Sequence, residues 1–272
     1  RLSANNKKGE YYLTDVIGLA SEDGVLIDSI KPQTTEEIFG VNDKTQLAEA
    51  EKHKRKQAAD RLLQDGVTLA DPERIDVRGE LICGKDVFID VNVVFEGNVK
   101  ISEGSSIGPH SVISNTTIGK HTKILSHCNL EHVIVGNDCS VGPFARLRPG
   151  TELMDSARAG NFVEIKKSQI GQQSKVNHLS YIGDAVVGKE VNIGAGTITC
   201  NYDGTNKHQT IIEDNVHIGS GVELVAPVAV KEGATIGAGS TITKHAPKNK
   251  LTLERARQKT IPNWQRPKKK TT

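Results

Sequence analysis

Glu164 lies seventeen residues before Tyr181, and Lys175 seventeen before Asn192, so a chain that returns on itself at that interval would set each pair side by side. Nine histidines offer proton acceptors, because an imidazole with an ordinary pKa of about 6.5 is available in its neutral form near neutral pH. A histidine taken at random is more often structural, so the types alone do not single one out. His110, His121, His127 and His132 suggest a second chemistry, in which three converging imidazoles hold zinc and leave a fourth position open to activate water. Spacing leaves that convergence undecided. Cys83, Cys128, Cys139 and Cys200 form no CxxC pair, which argues against a zinc knuckle or a thioredoxin-type motif and for reduced, mostly interior thiols.

The elements that would position these groups follow from a repeat with a period near six over residues 87–243. An aliphatic residue opens each unit and a small residue follows four places later: Ile107-Gly108 before Ser111, Ile118-Gly119 before Thr122, Ile170-Gly171 before Ser174, Ile193-Gly194 before Thr197, Ile236-Gly237 before Ser240. An amphipathic helix would need spacings of three and four, and a half-buried strand spacings of two. Three short strands with turns, closing a triangular coil of about 18 residues, satisfy the pattern, with each aliphatic residue pointing inward onto its equivalent in the next coil. Stacked about 4.8 Å apart, some ten coils would make a parallel β-helix roughly 50 Å long. The segment Cys200-Asn201-Tyr202-Asp203-Gly204-Thr205-Asn206-Lys207-His208 delays the next aliphatic pair and is predicted to loop out, in the turn chemistry typical of binding loops.

Ahead of the repeats, Asn42 or Asp43 caps a predicted helix that runs to about Asp65 and stops at Gly66. Its middle, residues 49–57, is almost wholly polar, which predicts an exposed linker over 43–66. Residues 1–42 are too few for a core of their own, so Tyr11, Leu13 and Ile17 read as the tail of another domain. A first residue of Arg1 in place of Met fits a fragment or processed product. The β-helix would occupy 67–245, and an arm with a basic tail (Arg266, Lys268, Lys269, Lys270) would occupy 246–272. A net charge of +2 gives no general surface for nucleic acid or anionic membrane, and no apolar run reaches the roughly 18 residues of a membrane span. The cytoplasm is the default location.

Longer motifs are more specific. Phe144-Ala145-Arg146-Leu147-Arg148-Pro149-Gly150, Gly160-Asn161-Phe162-Val163-Glu164 with Lys166, His178 with Tyr181, and Asn192-Ile193-Gly194-Ala195-Gly196 running on to Asn201-Tyr202-Asp203-Gly204 resemble the bacterial bifunctional N-acetylglucosamine-1-phosphate uridyltransferase and glucosamine-1-phosphate N-acetyltransferase family. Gly9-Glu10-Tyr11-Tyr12-Leu13-Thr14-Asp15 and Gly40-Val41-Asn42 resemble the end of that family's uridyltransferase domain, whose Gly-rich start is absent. The resemblance implies a left-handed β-helix, preceded by a remnant of an α/β nucleotidyltransferase domain. It also implies acetyl transfer from acetyl-CoA to glucosamine 1-phosphate, on the route to UDP-N-acetylglucosamine and the cell-wall precursors. It implies His178 as general base with Glu164 orienting, Arg148, Lys166 and Lys207 on the phosphate, and Tyr181 and Asn192 on the sugar. Ala195, Asn201, Tyr202, Ser220, Ala238 and Arg255 would meet acetyl-CoA, and Asn42 would be a residual magnesium ligand. It further implies a homotrimer. Uridylyl transfer, which needs a phosphate cradle and a magnesium site, is expected to be absent here.

Overall fold

The computed structural model describes residues 1–267 and divides into two compact units, Arg1–His53 and Lys54–Thr272. Of the basic tail, Lys268, Lys269 and Lys270 lie outside the described residues.

In the first unit, helix α1 (Asp15–Glu22) buries no residue, and a 3-10 turn follows at Thr35–Ile38. Leu13, Leu26 and Ile30 stand 81%, 95% and 96% exposed, so the apolar side chains here have no core. Helix α2 (Lys44–Gln64) begins where Asp43 Oδ1 accepts the Gln46 N–H at 2.8 Å, while the Gln46 side chain accepts the Asn42 N–H at 2.7 Å. It ends in a Schellman motif: Gly66 takes φ +87°, its N–H donates to the Leu63 carbonyl, and the Val67 N–H donates to the Leu62 carbonyl. Leu62 and Val67 are both buried, and so is Ala59. From Lys54 onward the helix belongs to the second unit, and its last turns pack into that unit's own core through Ala59 and Leu62, unlike its polar middle.

The second unit is a left-handed parallel β-helix of about ten turns. Its described strands form an eleven-stranded and a seventeen-stranded sheet. Ile107, Ile124, Val141, Ala159, Val176, Ile193 and Ile218 stack rung on rung on one inward face, all at or below 2% exposure. The small residue of several repeats, Ser111, Thr122 and Ser174 among them, is a stitch between coils. The Ser174 hydroxyl donates to the Gly188 carbonyl at 2.7 Å and accepts the Val191 N–H at 2.9 Å; Thr122 joins Gly136 and Cys139 in the same way. Each of these two hydroxyls satisfies a carbonyl and an N–H of the next coil in a core that excludes water.

The coils turn at three corners through residues with positive φ. One corner column runs through His110, His127, Phe144, Phe162 and Leu179, with φ between +50° and +59°, and continues through Gly196, Gly221 and Gly239. Positive φ is rare for bulky residues and free for glycine. The rings of His110, His127, Phe144 and Phe162 stack in sequence with centroids 4.9, 4.7 and 5.3 Å apart. The rung-to-rung interval is seventeen between Gln169 and Val186, then twenty-five between Val186 and Ile211, which places the predicted excursion after Cys200.

Candidate active site

His178 closes the strand Lys175–His178 at the ring-bearing corner, directly over Asn161 of the previous coil. Its Nδ1 lies 2.6 Å from Asn161 Oδ1. With a carbonyl-type oxygen facing it, Nδ1 carries the proton and donates, which leaves the Nε2 lone pair free to accept another. Asn161 is the residue that sequence reasoning missed. It stood inside the quoted Gly160-Asn161-Phe162 motif, and its position seventeen residues before His178 was the available signal.

Glu164 does not hold the imidazole. It accepts from Arg148 Nη1 at 2.8 Å, with both side chains about one-third exposed (33% and 34%). Two positions further along the same strand, Lys166 meets Lys207, which the loop brings back across the coil. The Lys166 ammonium is pushed below the ordinary lysine range, first by its contact with Lys207, then by desolvation and the charges of Lys207 and Arg148; Asp184 opposes the shift. Lys166 thus lies against Lys207 and in the field of Arg148, only partly offset by Asp184, an arrangement that a phosphate dianion would relieve. Tyr181 sits in register with Glu164 and folds its hydroxyl over Gly183, where a Cβ would lie 2.5 Å from that oxygen. A side chain at Gly183 would have to displace that hydroxyl.

The loop that carries Lys207 is shaped by Asp203. Its carboxylate accepts the N–H groups of Thr205 and Asn206 and contacts His208 Nε2 at 2.7 Å, and these bonds hold it well below the usual carboxylate range, the Asn206 N–H foremost. Tyr202 and Lys207 form an antiparallel bridge, and the Tyr202 hydroxyl donates to the Gly204 carbonyl at 2.6 Å. Tyr202 remains 61% exposed, whereas Asn201 is 7% exposed and gives its amide to Asp184.

Along the corner, His178, Ala195, Ser220 and Ala238 occupy successive rungs: the N–H groups of Gly196, Gly221 and Gly239 donate to the carbonyls of His178, Ala195 and Ser220. Beside them the glycines leave an open lane, since a Cβ at Gly196, Gly221 or Gly239 would meet nothing nearer than 3.7 Å. Arg255 stands at the far end, 3.9 Å from such an atom at Gly239. On the other side of the His178 rung, a groove of about 460 Å³ is lined by Phe144, Arg158, Asn161, Phe162 and His178.

Two candidates stand apart. Asn192 belongs to the eleven-stranded sheet, between Lys175 and His217, whereas Arg148, Glu164, Lys166 and Tyr181 lie toward the seventeen-stranded sheet. Asn42 is exposed in the first unit, and among the described residues no three His, Cys, Asp or Glu side chains gather as a metal site. Of the four histidines weighed for zinc, His110 and His127 share one corner, while His121 and His132 stand at the other two. All four thiols are free, and burial pushes Cys83 up to about 12 and Cys128 and Cys139 up to about 11.

Residues 209–244 match the family described as bacterial transferase hexapeptide (six repeats). The chain is 58% identical over 266 residues to the Bifunctional protein GlmU of Ralstonia pickettii, covering 98% of this chain and 58% of that protein. It is 56% identical over 270 residues to the protein of the same name from Aromatoleum aromaticum, covering 99% and 59%. It thus spans somewhat over half the length of these relatives. Among solved structures, an Arabidopsis UDP-N-acetylglucosamine acyltransferase shares the fold with a TM-score of 0.56 at 17% identity, over 65% of this chain and 69% of that one. No described helix is long and apolar enough to cross a membrane. Over the length that it spans, the chain belongs with the GlmU proteins, and its coils belong with the hexapeptide-repeat transferases.

Proposed function

We propose that this chain transfers the acetyl group of acetyl-CoA to the amine of glucosamine 1-phosphate, giving N-acetylglucosamine 1-phosphate and free CoA. One observation carries the reading: an imidazole with one nitrogen already committed to Asn161 stands at the head of an open corner lane, and the strand that follows its corner, Tyr181–Gly183, lies in register with Glu164–Lys166 beside the cations. The phosphate is held by Arg148, Lys166 and Lys207, and Tyr181 meets the sugar. The pantetheine arm follows the lane beside Ala195, Ser220 and Ala238, with Arg255 toward the CoA phosphates. As the amine attacks the thioester carbonyl, Nε2 of His178 accepts its proton, and the Ala195 N–H donates to the oxygen that gains charge. Collapse breaks the carbon–sulfur bond, and the imidazolium returns the proton to the departing thiolate.

Asn201 and Glu164 act on this reading through their neighbours, Asn201 through Asp184 and Glu164 through Arg148. The separation of Asn192 from the cation cluster supports a site completed by a second chain, and three-fold packing of a triangular column supplies one in a closed homotrimer. We place the reaction in the cytoplasm and assign magnesium only to the uridylyl transfer of longer relatives. The test is release of free thiol from acetyl-CoA on addition of glucosamine 1-phosphate. A purified, folded chain that releases none above the rate without sugar overturns the proposal.

A further inference from the structure

We propose that Asp184 is a positioning residue that clamps both feet of the excursion at 201–209 and so delivers Lys207 to the anion site; this rests on the function proposed above. Asp184 sits at a corner with φ +49°, its side chain only 10% exposed. Its carboxylate Oδ2 accepts from Asn201 Nδ2 at 2.5 Å, at the point where the chain leaves the strand Ile198–Cys200. Its main-chain carbonyl accepts the Thr210 N–H at 3.2 Å, where the chain re-enters the strand Thr210–Ile212. One residue therefore holds the exit and the return of the same loop. Between these points the Asp203 network orders the tip internally, but nothing in that network ties the tip to the coil. A rigid tip on a loose base would swing Lys207 away from Lys166.

The charge has a reason to be there as well. A carboxylate this enclosed needs compensation, and Lys167 Nζ at 3.8 Å together with the nearby Lys166 supplies it. In return, Asp184 tempers the repulsion within the cation cluster without occupying it, since its carboxylate is turned to Asn201.

The experiment uses the whole chain and the variants Asp184→Ala and Asp184→Asn, the second of which suits the same corner φ and preserves shape. Removing a charge-assisted bond at the loop's foot should raise KM for glucosamine 1-phosphate about tenfold in Asp184→Ala and about threefold in Asp184→Asn, with kcat changed less than about twofold. In the Lys207→Ala background, Asp184→Ala should add almost nothing to KM, because it acts through the lysine already removed. An activity-free readout is trypsin cleavage after Lys207 in unliganded protein, which should quicken in the order wild type, Asp184→Asn, Asp184→Ala. A KM increase that adds in full to that of Lys207→Ala, or cleavage at the wild-type rate in both variants, overturns the proposal. Wild-type protein that transfers no acetyl overturns the function instead, and the cleavage order still tests the clamp.

Discussion

Replacing Asn161 tests the mechanism at the atom on which it turns. In the resting site Asn161 Oδ1 accepts from a neutral imidazole at 2.6 Å; once Nε2 has taken a proton, it accepts from an imidazolium. A neutral hydrogen bond contributes about 0.5–1.5 kcal/mol and one to a charged group about 1.5–3, so the bond tightens by roughly 1–1.5 kcal/mol as the proton moves. Asn161→Ala forfeits that difference, a fall in kcat of about 5- to 13-fold, while KM for acetyl-CoA holds because Asn161 lies on the opposite side of the His178 rung from the glycine lane. Asn161→Asp probes the sign. A carboxylate about 4 Å from the ring in water-like surroundings favours the imidazolium by about 1 kcal/mol, which is about 0.7 pH unit. The base is then protonated at higher pH, and the acid limb of the kcat profile moves up by that amount. Thiol release followed across the neutral range reads both effects. Asn161→Ala within twofold of wild-type kcat, together with an unmoved acid limb in Asn161→Asp, would refute the role of this pair.

Further outcomes follow from the same geometry. His178→Ala should lose about 10²- to 10⁴-fold in acetyl transfer and keep CoA binding in a direct titration, and wild-type turnover would remove it as the base. Because Lys166 loses its proton below the ordinary lysine value of 10.5, KM for the sugar phosphate should climb on the alkaline side before that pH. Lys207→Ala, which removes the largest cause, should move the climb upward; a flat KM profile to pH 10.5 contradicts this. Gly221→Leu should raise KM for acetyl-CoA severalfold by filling the lane, at a stability cost of about 1–2 kcal/mol read from thermal unfolding. Leu179 already tolerates this corner at φ +50°, so an unchanged KM for acetyl-CoA would mean that the cofactor runs elsewhere. Finally, the 272-residue chain should release no magnesium-dependent pyrophosphate from UTP and N-acetylglucosamine 1-phosphate above a heat-killed control.

The period of six and the interval of seventeen were legible because stacking makes them so: Glu164 over Tyr181 and Lys175 over Asn192 follow from counting. Counting does not say which corner lies between two stacks, so the separation of Asn192 from Tyr181 was not readable. The Asn161–His178 contact was readable in principle from the interval of seventeen, but an asparagine in such a motif is equally suited to turn chemistry, so its type did not single it out. The docking of the end of helix α2 rests on Ala59 and Leu62 alone, too few to register as an apolar stripe beside the polar middle. The bulky corner residues were the least legible, since nothing in Phe144, Phe162 or Leu179 announces a positive φ. Asn201 is assigned to acetyl-CoA by the resemblance alone, and its amide bond to Asp184, one coil away, is a partner that the motif does not announce.

The jump in interval from seventeen to twenty-five has a consequence for how such a molecule can be remade. The difference, 25 − 17 = 8, is the number of residues that the loop adds to an otherwise regular coil. Ala185, Val186 and Val187 pair with Thr210, Ile211 and Ile212 as faithfully as coils without an insertion do. The ladder is therefore indifferent to what protrudes between two of its strands, and recognition has been added to the scaffold as an interchangeable part. A designer could exchange those eight residues to change the acceptor while leaving the imidazole and the lane untouched.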